Sequence, residues 1–243
     1  MSIKGFDDWL ATPQGAYVLQ WEQDKYDLLV SDIFGFNALQ LGLPQVDFLR
    51  TNRMPFRFRC DDKPSSLVAL RAKPDFLPFA SASVDLVILP HVLEFDAAPH
   101  QILREVERIL VPEGQLIVTG FNPFSLWGVR RKFARAEQAP PWRGQYLSVL
   151  RLKDWLALLG FETHVGSFGC YAPPVSREKW LQRWRFMELA GNRWWPYAGA
   201  AYIIQAIKRV HGMRLITPLR KDRKAHAKSL ATVTQQTQRR EET

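Results

Sequence analysis

The chain has 243 residues, 47% of them hydrophobic, enough apolar material for one large folded core and too much for a mainly disordered protein. A formal net charge of +9 raises nucleic acid, anionic lipid and acidic substrates as partners, yet the excess is local. One cluster holds Arg130, Arg131 and Lys132 with Arg135, Arg143 and Arg151, and the other runs from Arg220 to Lys224 with Lys228.

Residues 1–36 read as an N-terminal helical extension, with no basic leader and apolar run at its start. Asn37–Leu41 before Gly42 predicts an early strand, Phe56–Cys60 a short one and Leu67–Leu70 a third. Between the first two, Val46–Arg53 is short for a helix ahead of Pro55. Ser83–Pro90 is almost wholly apolar after Asp85, the pattern of a parallel strand buried on both faces. Pro99 then suits a first helical turn, and Ile102, Val106 and Ile109 recur at helical spacing with Leu103 and Leu110 beside them. Pro112-Glu-Gly114 predicts a turn and Gln115–Thr119 the next strand, which completes a right-handed β-α-β unit. Leu152, Trp155, Leu156 and Leu159 predict a second helix, stopped by Gly160 and followed by a strand over Phe161–Val165.

An aromatic insertion at about residues 166–197 follows, with a helix expected from Ser176 and the run Trp194-Trp195-Pro196-Tyr197 beyond it. Ala200–Ile207 reads as the last strand. It contains Gln205 and is too short to cross a bilayer, so a cytoplasmic protein is expected. The basic tail at 211–243 is too poor in apolar residues to fold alone. Cys60 and Cys170 belong to no C-x-x-C or Cys/His cluster, so neither a disulfide framework nor a zinc site is indicated. Alternating strands and helices imply a three-layer α/β domain over residues 37–210, doubly wound around a mainly parallel sheet.

Two runs carry a family resemblance. Leu77-Pro-Phe-Ala-Ser-Ala-Ser-Val-Asp-Leu-Val-Ile-Leu-Pro-His-Val-Leu-Glu94 and Leu103-Arg-Glu-Val-Glu-Arg-Ile-Leu-Val-Pro-Glu-Gly114 resemble the methyltransferase type 11 family of class I S-adenosylmethionine-dependent enzymes. The family reads there as L-P-F, small or polar residues, F-D-x-V, a strand, Leu-Glu, then R-E-x-x-R-x-L-x-P-G-G; this chain departs in Val84 and Glu113. The resemblance implies a seven-stranded sheet with an antiparallel last strand and S-adenosylmethionine as cofactor at the carboxyl ends of the first strands.

It also implies contacts. Gly42 matches the first glycine of the family's G-x-G-x-G loop, while Leu43-Pro44-Gln45 replaces the rest and Pro44 removes a backbone donor. Asp61 and Asp62 lie near the spacing of the family's ribose acid, or form a plain surface pair. Lys73 occupies the adenine-side acid position, with Asp75 and Leu77 close behind. His91 is a candidate general base or a turn histidine bonded locally, and Glu94 either a cap or a pocket residue. Asn122 and Ser125, in a loop of aromatics, are substrate contacts or plain packing. The expected enzyme methylates a small or lipid-like acceptor; the alternative is a catalytically silent methyltransferase-like binding module, with RNA reached through the basic clusters.

Overall fold

The computed structural model describes residues 5–133, 140–174, 183, 184, 188, 191 and 193–210. Its strands are β1 (Asn37–Leu41), β2 (Phe56–Asp61), β3 (Leu70–Arg71), β4 (Val84–Pro90), β5 (Leu110–Phe121), β6 (Phe161–Gly169) and β7 (Ala201–Lys208). They hydrogen-bond in the order β3-β2-β1-β4-β5-β7-β6. β1 to β5 pair in parallel, and β7 enters antiparallel between β5 and β6. The expected mainly parallel sheet with an antiparallel last strand is therefore present.

Side-chain alternation along the central strands divides the core in two. One face sends Leu86, Ile88 and Ile117 toward α1 (Phe6–Leu10), α2 (Pro13–Ser31) and the segment that carries Phe48 and Leu49. The other sends Val87, Leu89 and Val118 toward α4 (Pro99–Ile109) and α6 (Val149–Leu158). On α4 the residues Ile102, Leu103, Val106 and Ile109 are fully buried, each stabilising by about 1.5–3 kcal/mol. β4 is hidden on both faces, as its apolar run requires, with Asp85 half-buried among its otherwise buried residues. The Asp85 carboxylate accepts from the backbone N–H groups of Phe36 and Asn37, both at 2.9 Å, and so fixes the entry to β1.

Several boundaries differ from the sequence expectation. The third strand is two residues long and starts at Leu70, because only Cys60–Asp61 of β2 offers it a partner. β5 begins at Leu110, so the Pro112-Glu-Gly114 turn is absorbed as an irregularity within the strand, with Glu113 at φ 63°. Val46–Arg53 forms turns rather than a helix. Gly160 ends α6 in the left-handed conformation, φ 79°, as its position suggests. Of the aromatic insertion, 166–169 belong to β6, while most of the helix expected from Ser176 and the basic tail fall outside the described residues. Among the described residues no helix is long and apolar enough to cross a membrane.

Candidate active site

The carboxyl ends of β1, β2, β4 and β5 bring most of the sequence-selected residues to one end of the sheet. Gly42 follows β1 with φ 82°, a conformation that costs a residue with a β-carbon about 1–2 kcal/mol. A β-carbon there would also stand 2.9 Å from Cγ2 of Val92. The Gly42 N–H donates to the Cys60 carbonyl at 2.9 Å, which sets Gly42 beside Asp61 at the end of β2. Asp61 is buried; its Oδ1 accepts from Lys63 N at 3.2 Å. Burial, then a hydrogen bond with half-buried Asp62, pushes its carboxyl above the ordinary range.

The loop after β1 is shaped by Gln40, a residue the sequence reading passed over. Its buried amide donates to the carbonyls of Gly42, Leu43 and Val46 at 3.2, 3.0 and 2.8 Å, and its Oε1 accepts from Phe48 N at 3.2 Å. One side chain thereby does the work of the missing helix turn, tying down carbonyls that a helix would have satisfied. The signal was an amide inside the buried part of the strand, two residues ahead of Gly42.

Lys73, Asp75 and Leu77 stand one strand farther out. Lys73 is exposed and Asp75 half-buried in a turn closed by Phe76 N to Lys73 O at 3.1 Å. Leu77 is buried, with its N–H donated to Glu105 of α4 at 3.1 Å. That carboxylate is held in turn by Arg108, so α4 anchors this rim.

His91 follows β4 in the left-handed region, φ 54°, ahead of the short α3 (Val92–Phe95). It is completely buried. Its Nδ1 lies 2.9 Å from Glu94 Oε2 and its Nε2 lies 2.6 Å from Glu22 Oε1, on α2. Burial alone would lower the imidazole pKa, but the two carboxylates outweigh it and push it up to about 10, so both ring nitrogens carry protons and donate. Glu94 also accepts a short hydrogen bond from Phe121 N. Of the two roles weighed for His91, the local bond is present, to Glu94, and a second contact reaches Glu22, 69 residues away in sequence. Glu22 was missed, although Val18, Glu22, Tyr26 and Val30 recur every fourth residue along the buried side of α2. A carboxylate inside an apolar stripe marks a buried polar contact.

Aromatic rings seal this cluster. Phe6 of α1 lies 5.3 Å from the His91 ring and Phe121 lies 4.4 Å from it, while Trp9, Trp127 and Tyr146 pack around Phe121. Asn122 and Ser125 are buried and serve the backbone: Asn122 Nδ2 donates to the Tyr197 and Gly199 carbonyls at 2.8 and 3.0 Å. Ser125 Oγ accepts from Gly128 N at 3.1 Å and donates to Asn122 O at 2.7 Å, opening α5 (Leu126–Phe133). Asn122 also borders a cavity of about 860 Å³.

Part of the first basic cluster is engaged within the domain. Arg130, Arg131 and Arg151 lie over the rings of Trp142, Tyr146 and Trp155 at 4.6, 5.1 and 5.2 Å. Cys60 and Cys170 are buried thiols, and burial pushes Cys60 up to about 11. Among the described residues no group of His, Cys, Asp and Glu is arranged to hold a metal ion.

A family described as "Methyltransferase domain" matches residues 49–118. An uncharacterized protein of Escherichia coli, YafS, is 39% identical over 102 residues, and this chain spans 42% of that relative's length in the match, which takes in 42% of its own. Among solved structures, a chain of the Haloferax volcanii complex that contains the Trm112 methyltransferase activator superposes with a TM-score of 0.58 at 16% identity, covering 87% of this chain and 99% of that one. A SAM-dependent methyltransferase from Archaeoglobus fulgidus gives 0.57 at 13% identity, over 79% and 94% of the two chains. At such identities the likeness establishes the fold, and the strand order and the 49–118 match agree with it. The chain thus carries the fold of class I S-adenosylmethionine-dependent methyltransferases, and residues 49–118 match the methyltransferase-domain family.

Proposed function

We propose that this protein transfers a methyl group from S-adenosylmethionine to a small or lipid-like acceptor. The observation that carries the reading is the pairing of Gly42 with Asp61 on neighbouring strand ends, under a match to the methyltransferase domain. Gly42 has the backbone conformation the family's first loop glycine needs, with Val92 packed against it, and Asp61 places a buried carboxylate one strand away, where vicinal hydroxyls would be held. Those two residues fit the nucleoside end of the cofactor. Asp62 is the second acid at the same strand end, and Lys73, Asp75 and Leu77 border the side expected to take the base.

When bound, S-adenosylmethionine supplies the methyl as a sulfonium substituent, whose sulfur keeps the bonding electron pair as the acceptor's lone pair takes the carbon. The chain's own contribution is positioning, which can lower such a barrier by about 7–11 kcal/mol. His91 is then a positioning residue: clamped and protonated between Glu22 and Glu94, it holds α2 against the end of β4 and takes no proton from the acceptor. Asn122 and Ser125 shape the acceptor wall through the backbone they hold.

A second reading, a methyltransferase-like binding module without turnover, is favoured by Pro44 and Lys73 and by Gln40, whose amide already occupies the Gly42 and Leu43 carbonyls. Titration of S-adenosylmethionine and S-adenosylhomocysteine into the purified chain tests the first reading, and turnover of bound S-adenosylmethionine eliminates the second. Binding of both, weakened by Asp61→Asn, is expected; no binding of either at millimolar concentration overturns the first reading.

A further inference from the structure

The cavity of about 860 Å³ lies where β5, β6 and β7 reach the same end of the sheet as Gly42 and Asp61. Its rim holds three largely exposed side chains with big apolar surfaces, Phe124 (75% exposed), Leu150 (73%) and Tyr197 (76%). Lys25 of α2 and Lys153 of α6 also line it, and neither has an ion-pair partner among the described residues. No Asp or Glu is among its described lining residues. A volume suited to a small molecule, apolar walls and two unmatched ammonium groups define an amphipathic anion as complementary ligand.

The inner wall ties the cavity to the candidate active site. Tyr202 lines it and is itself buried. A β-carbon at Gly120 would stand 2.6 Å from the Tyr202 hydroxyl and 3.0 Å from Glu94 Oε1, so the two side chains flank the same glycine of β5. Glu94 holds His91, and Val92, the next residue, is the one that faces Gly42. A chain of contacts through Gly120, Glu94, His91 and Val92 thus connects the cavity floor to the cofactor-side glycine.

We infer that this cavity binds the methyl acceptor, and that the acceptor is an amphiphile with an apolar body and an anionic group met by Lys25 of α2 or by Lys153 of α6. The inference rests on the methyltransferase reading for the word acceptor and on the cavity alone for the ligand class. Gly166, which lines the cavity on the edge strand β6, has open space beside it: a β-carbon there would meet only the Ile203 carbonyl, at 3.9 Å.

Calorimetric titration of the whole chain with decanoate, decan-1-ol and decyltrimethylammonium, each below its micelle concentration, tests the ligand class. Decanoate is expected to bind about tenfold more tightly than the alcohol, the cation least, with the difference shrinking in high salt. Gly166→Trp should abolish decanoate binding and leave S-adenosylmethionine binding unchanged. Should that variant not fold, the double variant Lys25→Glu, Lys153→Glu serves, with an expected loss of about tenfold. Equal binding of all three amphiphiles, or binding to anionic phosphatidylglycerol vesicles but not to monomeric decanoate, overturns the proposal. S-Adenosylmethionine binding without decanoate binding removes this inference and leaves the methyltransferase reading standing. Decanoate binding without S-adenosylmethionine binding keeps the ligand class and removes the reading of it as a methyl acceptor.

Discussion

Glu22 and His91 meet at 2.6 Å with neither side chain open to solvent, so the N-terminal helix layer is fastened to the end of the central strand by a charged hydrogen bond. Glu94 completes the clamp at 2.9 Å. Removing one member of such a buried group leaves the others without compensation, at a cost of about 3–5 kcal/mol. Glu22→Ala should therefore lower the free energy of unfolding by that amount, measured by urea unfolding. Glu22→Gln, which keeps a hydrogen-bonding oxygen, should lose less.

The same cluster sets a pH dependence. His91 keeps its proton to about pH 10 in the folded chain, against an ordinary value of 6.5. Its stabilising contribution is complete below 6.5 and is lost as the pH rises toward 10. Glu94, raised by burial, contributes with the same sign from its own lower range upward. The surrounding phenols of Tyr26, Tyr146 and Tyr202 are all pushed up by burial and stay neutral through that window. Unfolding free energies at intervals from pH 6 to pH 10 should fall steadily for the natural chain, and a flatter profile is expected for His91→Asn.

Gln40→Leu keeps the volume in the core and deletes four hydrogen bonds to the 42–48 loop. With several buried backbone groups unpaired, a loss of about 2–4 kcal/mol is expected. Amide exchange should be faster at Phe48 and neighbouring residues than in the rest of the sheet. Unchanged protection there would show that the loop is held by something other than the Gln40 amide.

Gly42→Ala meets two separate obstacles, the positive φ and the 2.9 Å approach to Val92. Combining it with Val92→Ala removes the second and leaves the first, so thermal melts of the single and double variants should show partial recovery. S-Adenosylmethionine affinity is expected to stay reduced in both.

Asp61→Asn should cost about tenfold to a hundredfold in S-adenosylmethionine affinity, the range for losing the charge in a hydrogen bond to a carboxylate. Because Asn retains an oxygen for the Lys63 N–H, the fold should survive. Calorimetry on the variant checks the first statement and circular dichroism the second.

What could be read ahead of the structure follows from how local each cause is. β4 and α4 were legible because an unbroken apolar run and a 3.6-residue period are properties of a few consecutive residues. The β1–β2 connection was not, since its turns depend on Gln40 reaching forward to Val46 and Phe48. β3 shrank to two residues because its extent is set by the end of β2 and not by its own composition. Asn122 and Ser125 were visible as polar residues among aromatics, yet only the distant Tyr197 and Gly199 carbonyls explain Asn122. For His91 the sequence offered a neighbour at Glu94 and hid the one at Glu22.

β1 hydrogen-bonds to β2 on one side and to β4 on the other. The stretch that matches the methyltransferase domain, residues 49–118, includes both neighbours but not β1 itself. A piece cut at those limits would have a hole in the middle of its sheet, with two facing rows of unpaired backbone groups where β1 belongs. The unit that similarity recognises and the unit that can fold are thus different objects in this protein. Any dissection of it into modules has to begin upstream of Glu22 if the clamp on His91 is to be kept.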